Sequence, residues 1–218
     1  MKFFIIIKHN SKRIKKKSFV KIRNYPLWEF FLRKFKSSDK VFVDTDSSEI
    51  YKLGKKKFKN FVFYKREKKF IEYERNGSKS PVLSMIKFFL NKFIKDDNEI
   101  IVTTHITSPF LKRSEIIKAS KKLKNNEFVH SVTEHKEFAW IKIKKKYKKI
   151  NFGKIVKKTQ NLDPILFSNG AFFIFRKKSF LKYNNRLGKK NFFYNLNFPQ
   201  SLELDNKDDL LLMNNLLK

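Results

Sequence analysis

Near the C-terminus two carboxylates stand two residues apart in the run Ser201-Leu202-Glu203-Leu204-Asp205, while a cationic loop, Lys8 to Lys17, follows the first apolar run of the chain. Successive side chains of an extended segment alternate between faces, so Glu203 and Asp205 project from the same side. Two carboxylates opposite a basic loop could hold Mg²⁺ against a triphosphate, because Mg²⁺ takes hard oxygen ligands and keeps substrate phosphates among them. Ser11, Lys12, Arg13 and Lys17 are the loop's available donors for phosphate oxygens. The loop lacks the glycines of GxxxxGK[ST], so it is not a Walker loop. Two plainer readings stand beside this one. The loop can be solvated surface that contributes little to the core, and Glu-Leu-Asp-Asn-Lys-Asp-Asp can cap a final helix, since Asp and Asn suit N-caps and first turns.

Further polar groups recur just after apolar runs. Asp44 and Asp46 follow Lys40-Val-Phe-Val, and His105, Thr107, Ser108 and Pro109 follow Glu99-Ile-Ile-Val-Thr-Thr. Asn169 immediately precedes Gly170-Ala-Phe-Phe-Ile-Phe. His105 has no second His or Cys at ligand spacing, because His130 and His135 belong to another segment, so it is no metal ligand by spacing.

The elements that must position these groups alternate. Phe3–Ile7 reads as a buried strand, and Leu27, Phe30, Phe31 and Phe35 recur at helical spacing behind Pro26. A strand over Lys40–Asp46 is followed by a helix with Ser47 as N-cap. The alternation continues with a strand at Phe61–Lys65, a helix from Ser80, a strand at Glu99–His105, a helix from Ser114 and a strand at Phe128–Glu134. Such β and α elements with short connections imply a largely parallel sheet with helices on both faces. In open α/β sheets, ligands bind beyond the carboxyl ends of the strands, where the polar groups stand. Between about 136 and 163 the pattern breaks into a twisted basic ribbon. The chain returns with a strand at Gly170–Phe175 and closes with a short strand running into an amphipathic helix. No Pro-, Gly- or Ser-rich linker and no internal repeat divides residues 1–218, so one domain is expected.

Composition narrows the function classes. Cysteine is absent, which excludes disulfides and thiolate metal sites. No segment reads as a signal peptide or a membrane span, so a soluble cytoplasmic protein is expected. The formal net charge of +32 would ordinarily suggest nucleic acid. Lysine is spread along the whole chain, however, and Lys, Asn, Phe and Ile dominate as an AT-rich coding sequence would make them. Composition is therefore weighed ahead of nucleic-acid binding, which is expected to be nonspecific at most.

Six segments together resemble the cytidylyltransferases that activate sialic acid, Kdo and related 2-keto sugars, with the acylneuraminate (nonulosonate) branch nearest in pattern. Ile7 to Ser18, IKHNSKRIKKKS, is similar to that family's A-R-x-x-S-K-x-x-x-x-K-N; DTDSSEI resembles its S-T-D-x-x-E-I and KRE, Lys65 to Glu67, its K-R-P-E. TSPF, NGAFFIF and SLELDNKDDL resemble T-S-P-[LF], N-G-A-[IF]-x-I and S-I-D-I-D-T-x-x-D-L. Asn76 to Ser80, NGSKS, resembles D-T-A-S-S loosely. The chain departs from the family at Lys8 for Arg, Lys15 for Pro, His105-Ile106 for Gln-Pro and Glu203 for Asp.

The resemblance implies a Rossmann-like nucleotidyltransferase fold that transfers CMP from CTP to an acidic 2-keto sugar with release of pyrophosphate. By the same resemblance, Lys8, Asn10, Ser11, Lys12, Lys17, Arg66 and Ser80 bind the nucleotide, with Lys12 and Lys17 catalytic. His105, Thr107, Ser108, Gln160 and Asn169 face the sugar, and Glu203 and Asp205 hold Mg²⁺. The ribbon would be an arm exchanged in a homodimer; its other reading is a surface hairpin with Trp140 packed back on its own domain. Alternatives to the enzyme are a basic nucleic-acid-binding protein and an inactive member of the family.

Overall fold

The first apolar run forms β1 (Lys2–Ile7), buried on both faces from Phe3 to Ile7. Such two-sided burial belongs to a central strand of a parallel sheet. The computed structural model describes residues 1–11, 13–76 and 80–217, apart from the side chains of 74–76. After β1 the chain makes the paired two-residue strands β2 (Lys21–Ile22) and β3 (Tyr25–Pro26), then α1 (Leu27–Leu32), whose N-cap is Pro26. β4 (Lys40–Thr45) leads through the Ser47 cap, whose Oγ accepts from Ile50 N at 3.3 Å, into α2 (Ser48–Lys57). Next come β5 (Val62–Lys65), α3 (Lys68–Asn76), α4 (Val82–Phe93), β6 (Ile100–Thr104), α5 (Arg113–Ser120) and β7 (Phe128–His135). The hairpin β8 (Trp140–Ile143) and β9 (Lys146–Lys149) is the basic ribbon, and β10 (Ile165–Arg176), α6 (Lys177–Tyr183), β11 (Asn191–Asn195) and α7 (Lys207–Asn215) complete the chain.

Seven strands form one sheet in the order β11-β7-β10-β6-β1-β4-β5. β10 runs antiparallel to both its neighbours, while the β1–β4, β1–β6, β4–β5 and β7–β11 pairs are parallel. Alternation along each strand divides the core in two. Phe3, Ile5 and Ile7 face α1, α2, α5 and α7 through residues such as Trp28, Ile50, Ile116 and Met213. Phe4 and Ile6 face α3, α4 and α6 through Phe70, Phe89 and Phe180, with the rings of Phe4 and Phe89 stacked at 4.4 Å. The expected α/β architecture, with a mostly parallel sheet between helical layers, is therefore present. The elements β2, β3, α3, α6 and β11 go beyond the sequence reading. The short strand expected before α7 is extended chain outside the sheet, tied by Leu204 N to Thr107 O at 2.7 Å. Among the described residues no helix is long and apolar enough to cross a membrane.

Candidate active site

β1 and β6 are neighbours at the sheet centre, yet the chain leaves β1 toward β4 and β5 and returns to β6 on the other side. Such a reversal opens a crevice beyond the carboxyl ends of the two strands. A cleft of about 290 Å³ lies there, with Lys8, Lys17, His105, Thr107, Glu203 and Asp205 in its walls.

Alternation in the extended segment before α7 sets the carboxylates. Leu204 is fully buried in the core, which turns Glu203 and Asp205 the other way, toward the cleft. Thr107 Oγ1 donates to Glu203 Oε1 at 3.0 Å. Behind Glu203 the backbone of β10 changes register between Ser168 and Phe173, and Gly170 adopts φ +66°. A Cβ there would stand 3.4 Å from Glu203 Oε2 and strain the backbone, so glycine is required. Burial raises the Glu203 pKa, the Asp205 charge adds to the rise, and Thr107, Lys17 and Arg13 oppose it.

Asp205 meets the loop after β1. Lys17 Nζ donates to Asp205 Oδ1 at 3.1 Å and to Leu204 O at 2.6 Å, and Arg13 Nη1 stands 2.9 Å from Asp205 Oδ2. Lys17 is only 8% exposed, and an ammonium so placed needs partners. Ser18 Oγ donates to Lys8 O at 2.6 Å and closes the loop on itself. The loop is thus partly core, against the expectation that it contributes little. Further along, Asp209 Oδ2 accepts from the backbone N–H of Asp205 at 2.7 Å and of Asn206 at 2.8 Å. Asn206 Oδ1 accepts from Asp208 N at 2.8 Å and Asp209 N at 3.0 Å. The capping reading of this acidic run therefore holds for Asn206 and Asp209, while Glu203 and Asp205 face the cleft.

A family model for cytidylyltransferases matches residues 3–212, nearly the whole chain. The chain belongs to the cytidylyltransferase family. It is 30% identical over 135 residues to a 3-deoxy-manno-octulosonate cytidylyltransferase of Wigglesworthia glossinidia brevipalpis. That match covers 60% of this chain and 51% of the relative, about half of the relative's length. Among solved structures, a CMP:2-keto-3-deoxy-manno-octonic acid synthetase complexed with CTP superposes with a TM-score of 0.65 at 10% identity, covering 99% of this chain and 97% of the other. The 4-diphosphocytidyl-2C-methyl-D-erythritol synthase of Anaerococcus prevotii DSM 20548 gives 0.66 at 14% identity, covering 99% and 98%. At such identities the likeness is one of fold.

The remaining expected site residues of this cytidylyltransferase-family chain divide into those at the cleft and those away from it. Ser11 and Lys8 line the cleft, Asn10 is exposed beside them, and Lys12 lies outside the described residues. His105 lines the cleft as well; burial, with the Arg186 and Lys8 charges, lowers its pKa to about 4, so it is neutral near pH 7. Ser108 is buried, and its carbonyl accepts from Leu111 N at 3.1 Å in the turn that presents Thr107. Arg66 is wholly buried: its Nε donates to Asp44 Oδ1 at 2.7 Å and its Nη2 to Ile7 O at 3.1 Å, tying the ends of β1, β4 and β5. Burial raises the Asp44 pKa to about 6 against the pull of Arg66. Asn169 is buried in the β10 irregularity, donating from Nδ2 to Thr133 Oγ1 at 3.1 Å and accepting from Ala171 N at 3.3 Å. Ser80 is exposed just before α4, where its Oγ accepts from Val82 N at 3.4 Å; Gly77 to Lys79 lie outside the described residues. Gln160 is exposed in a helical turn at the foot of the ribbon, outside the walls of the cleft, with its carbonyl accepting from Lys136 Nζ at 3.2 Å.

Sequence reasoning passed over Arg186, whose guanidinium lies 3.8 Å from the Phe173 ring centroid. Its type was the available signal. Arginine is scarce beside lysine in this chain, and Arg66 and Arg113 are both held by carboxylates, so an arginine is worth inspecting for fixed geometry.

Proposed function

We propose that this protein transfers CMP from CTP to an acidic 2-keto sugar of the nonulosonate type, releasing pyrophosphate. The observation that carries the reading is the juxtaposition of Lys17 and Arg13 with Asp205 and Glu203 at the topological reversal. A triphosphate entering the cleft offers both cations a stronger anion than one carboxylate. Arg13, which is mostly exposed, can swing to phosphate, whereas Lys17 stays held by Leu204 O and acts as a fixed charge. Thr107 keeps Glu203 oriented. The sugar's anomeric hydroxyl attacks the α-phosphorus in line, a new O–P bond forms as the bond to pyrophosphate breaks, and the hydroxyl proton passes to solvent. No covalent enzyme intermediate is required, so positioning and fixed charge do the catalysis.

The donor set fits Mg²⁺. Two hard carboxylates open to one cleft leave most of an octahedron to phosphate and water, which is how this ion prefers to be held. Glu203 and Asp205 would hold it, and when bound it would supply positive charge to the phosphate oxygens. Among the described residues no third acid or histidine joins them in a cluster, so substrate oxygens must complete the site.

The β8–β9 ribbon is proposed as the arm of a homodimer, and the cytoplasm, where CTP is available, as the place of reaction. The test is pyrophosphate release from CTP and Mg²⁺ with N-acetylneuraminic acid, 3-deoxy-manno-octulosonate and 2-C-methyl-D-erythritol 4-phosphate as acceptors. Release with N-acetylneuraminic acid is expected; release with 3-deoxy-manno-octulosonate alone, an eight-carbon acid, would keep the acidic 2-keto sugar and overturn the nonulosonate type. Release only with the erythritol phosphate would overturn the acceptor class, and release with none of the three would overturn the reading.

A further inference from the structure

Beside the crevice, on the face of the sheet covered by α4 and α6, three buried polar atoms gather around Phe173 without a hydrogen-bond partner among the described residues. They are Thr103 Oγ1, His130 Nδ1 and Arg186 Nη1. The register explains why they meet. Phe173 on β10 stands opposite Thr103 on β6 and opposite His130 on β7. The His130 ring stacks on Phe173 with centroids 4.2 Å apart, and the Arg186 guanidinium covers the same ring. Thr103 is 2% exposed and His130 5%. Leaving a buried donor unpaired forfeits its hydration without return, so three together at one place call for a common partner.

The chemistry of that partner follows from the three groups. Arginine only donates, and the threonine hydroxyl can donate. His130 Nε2 lies 2.7 Å from Ser168 Oγ; with the serine donating, Nδ1 carries the hydrogen and donates too. Three donors, one of them a permanent cation, suit an anionic oxygen group. Burial alone lowers the Arg186 pKa, to about 10, so it remains charged near pH 7. Ser168, which bonds His130, and Phe193, which lies beside it, are exposed, so the cluster sits just beneath the surface. It also adjoins the crevice: the charge of Arg186 acts on His105, which lines the cleft, as well as on His130.

We propose that Arg186, His130 and Thr103 form the subsite for the carboxylate of the acceptor sugar. The planar guanidinium, held over Phe173, offers its paired N–H donors to a planar carboxylate, with Thr103 and His130 donating from the sheet. This rests on the acceptor class proposed above, and places the acid group on the β7–β10 side, away from the loop that faces the triphosphate.

The test measures binding directly on the full chain with CTP present, using N-acetylneuraminic acid, its methyl ester and 3-deoxy-manno-octulosonate, by calorimetric titration and by the imidazole NMR signals. Both acids should bind, N-acetylneuraminic acid at least tenfold more tightly than its ester, and both acids should move the His130 signals. In Arg186→Gln that preference should vanish, and in Arg186→Lys it should survive in part, with CTP affinity within twofold of wild type in both. Equal binding of acid and ester by the wild type, absence of binding, or an Arg186→Gln protein that keeps the preference would each overturn the subsite. So would a loss of CTP affinity as large as the loss of sugar affinity, which marks a structural role. Pyrophosphate release without any acid preference would leave the transfer reading standing and remove this one. Acid preference without turnover would do the reverse.

Discussion

The crevice and the β8–β9 ribbon draw on the same residue types, cations and large apolar side chains, and use them in opposite ways. At the crevice Lys17 is nearly buried, shares Asp205 with Arg13, and hangs on a backbone carbonyl. Along the ribbon every residue of β8 and β9 is exposed, with Trp140 at 54% and Tyr147 at 68%. Lysines there meet solvent or lie over rings, as Lys142 does over Tyr147. The difference teaches where the large positive charge matters. A solvated lysine is screened and interchangeable, whereas a desolvated one must be paired and therefore fixes geometry.

The sharpest way to break that contrast is at Asp205. Asp205→Asn removes the charge that Lys17 and Arg13 share while keeping size, and pyrophosphate release should fall about 10²-fold or more, the usual loss when one preorganised electrostatic group is removed. Steady-state kinetics with CTP, Mg²⁺ and an active sugar acid are the check. Full Mg²⁺-dependent activity in this variant would reduce the acidic pair to neighbours of the α7 cap.

Stability should separate the two regions next. Lys17→Met leaves Leu204 O without its donor and Asp205 with one cation, and should cost about 1–3 kcal/mol, read as a lower urea midpoint. Lys148→Met on the exposed β9 should stay within about 0.5 kcal/mol. Equal losses would mean that the burial of Lys17 contributes nothing.

How much of this was legible beforehand depended on whether a signal was local. Period-two alternation placed Glu203 and Asp205 on one face, and the core anchor Leu204 bears that out. Ser47 read as an N-cap because a cap depends on three residues of sequence, and it caps α2. The helix α3 was not read from the sequence; among its residues with described side chains only Phe70 is buried, so little of it marks a core-facing stripe. β11 is five residues at the sheet edge with no strict alternation to show it. Strand direction is beyond any local pattern, so the antiparallel β10 looked like its parallel neighbours. Arg66 matched a motif, yet its partners, Asp44 and Ile7 O, lie 22 and 59 residues away, and only the fold shows that it ties strand ends.

Acid should expose the crevice side and spare the ribbon. Burial, reinforced by Arg186, lowers the His130 pKa to about 4, below the unfolded value of about 6.5. Between those values the unfolded chain binds the extra proton, so stability is complete above about 6.5 and is lost as pH falls toward 4. Lowering pH from 7 to 5 should therefore remove about 2 kcal/mol through His130 alone. The same loss measured in His130→Asn should be smaller by that amount. An unchanged pH slope would show that the imidazole titrates freely.

The smallest effect on the folded chain itself belongs to the ribbon, and there the comparison turns on a second copy. Trp140 touches Phe152 with ring centroids 4.9 Å apart, and Phe152 touches Phe138 at 5.0 Å, so the aromatic contacts of the ribbon close on the ribbon. A two-stranded hairpin is marginal alone in water, and Ile143 and Tyr147 at its far end remain exposed. Large apolar groups gathered on an otherwise cationic projection are what a partner surface covers. The double variant Ile143→Ser, Tyr147→Ser should change the unfolding free energy of the monomer by less than about 0.5 kcal/mol, because little of either side chain is buried. Sedimentation should nevertheless show a wild-type dimer and a monomeric variant at the same concentration. A wild-type monomer, or a variant that stays dimeric, would return the ribbon to surface hairpin, leaving the crevice as the place where this chain spends its desolvated charge.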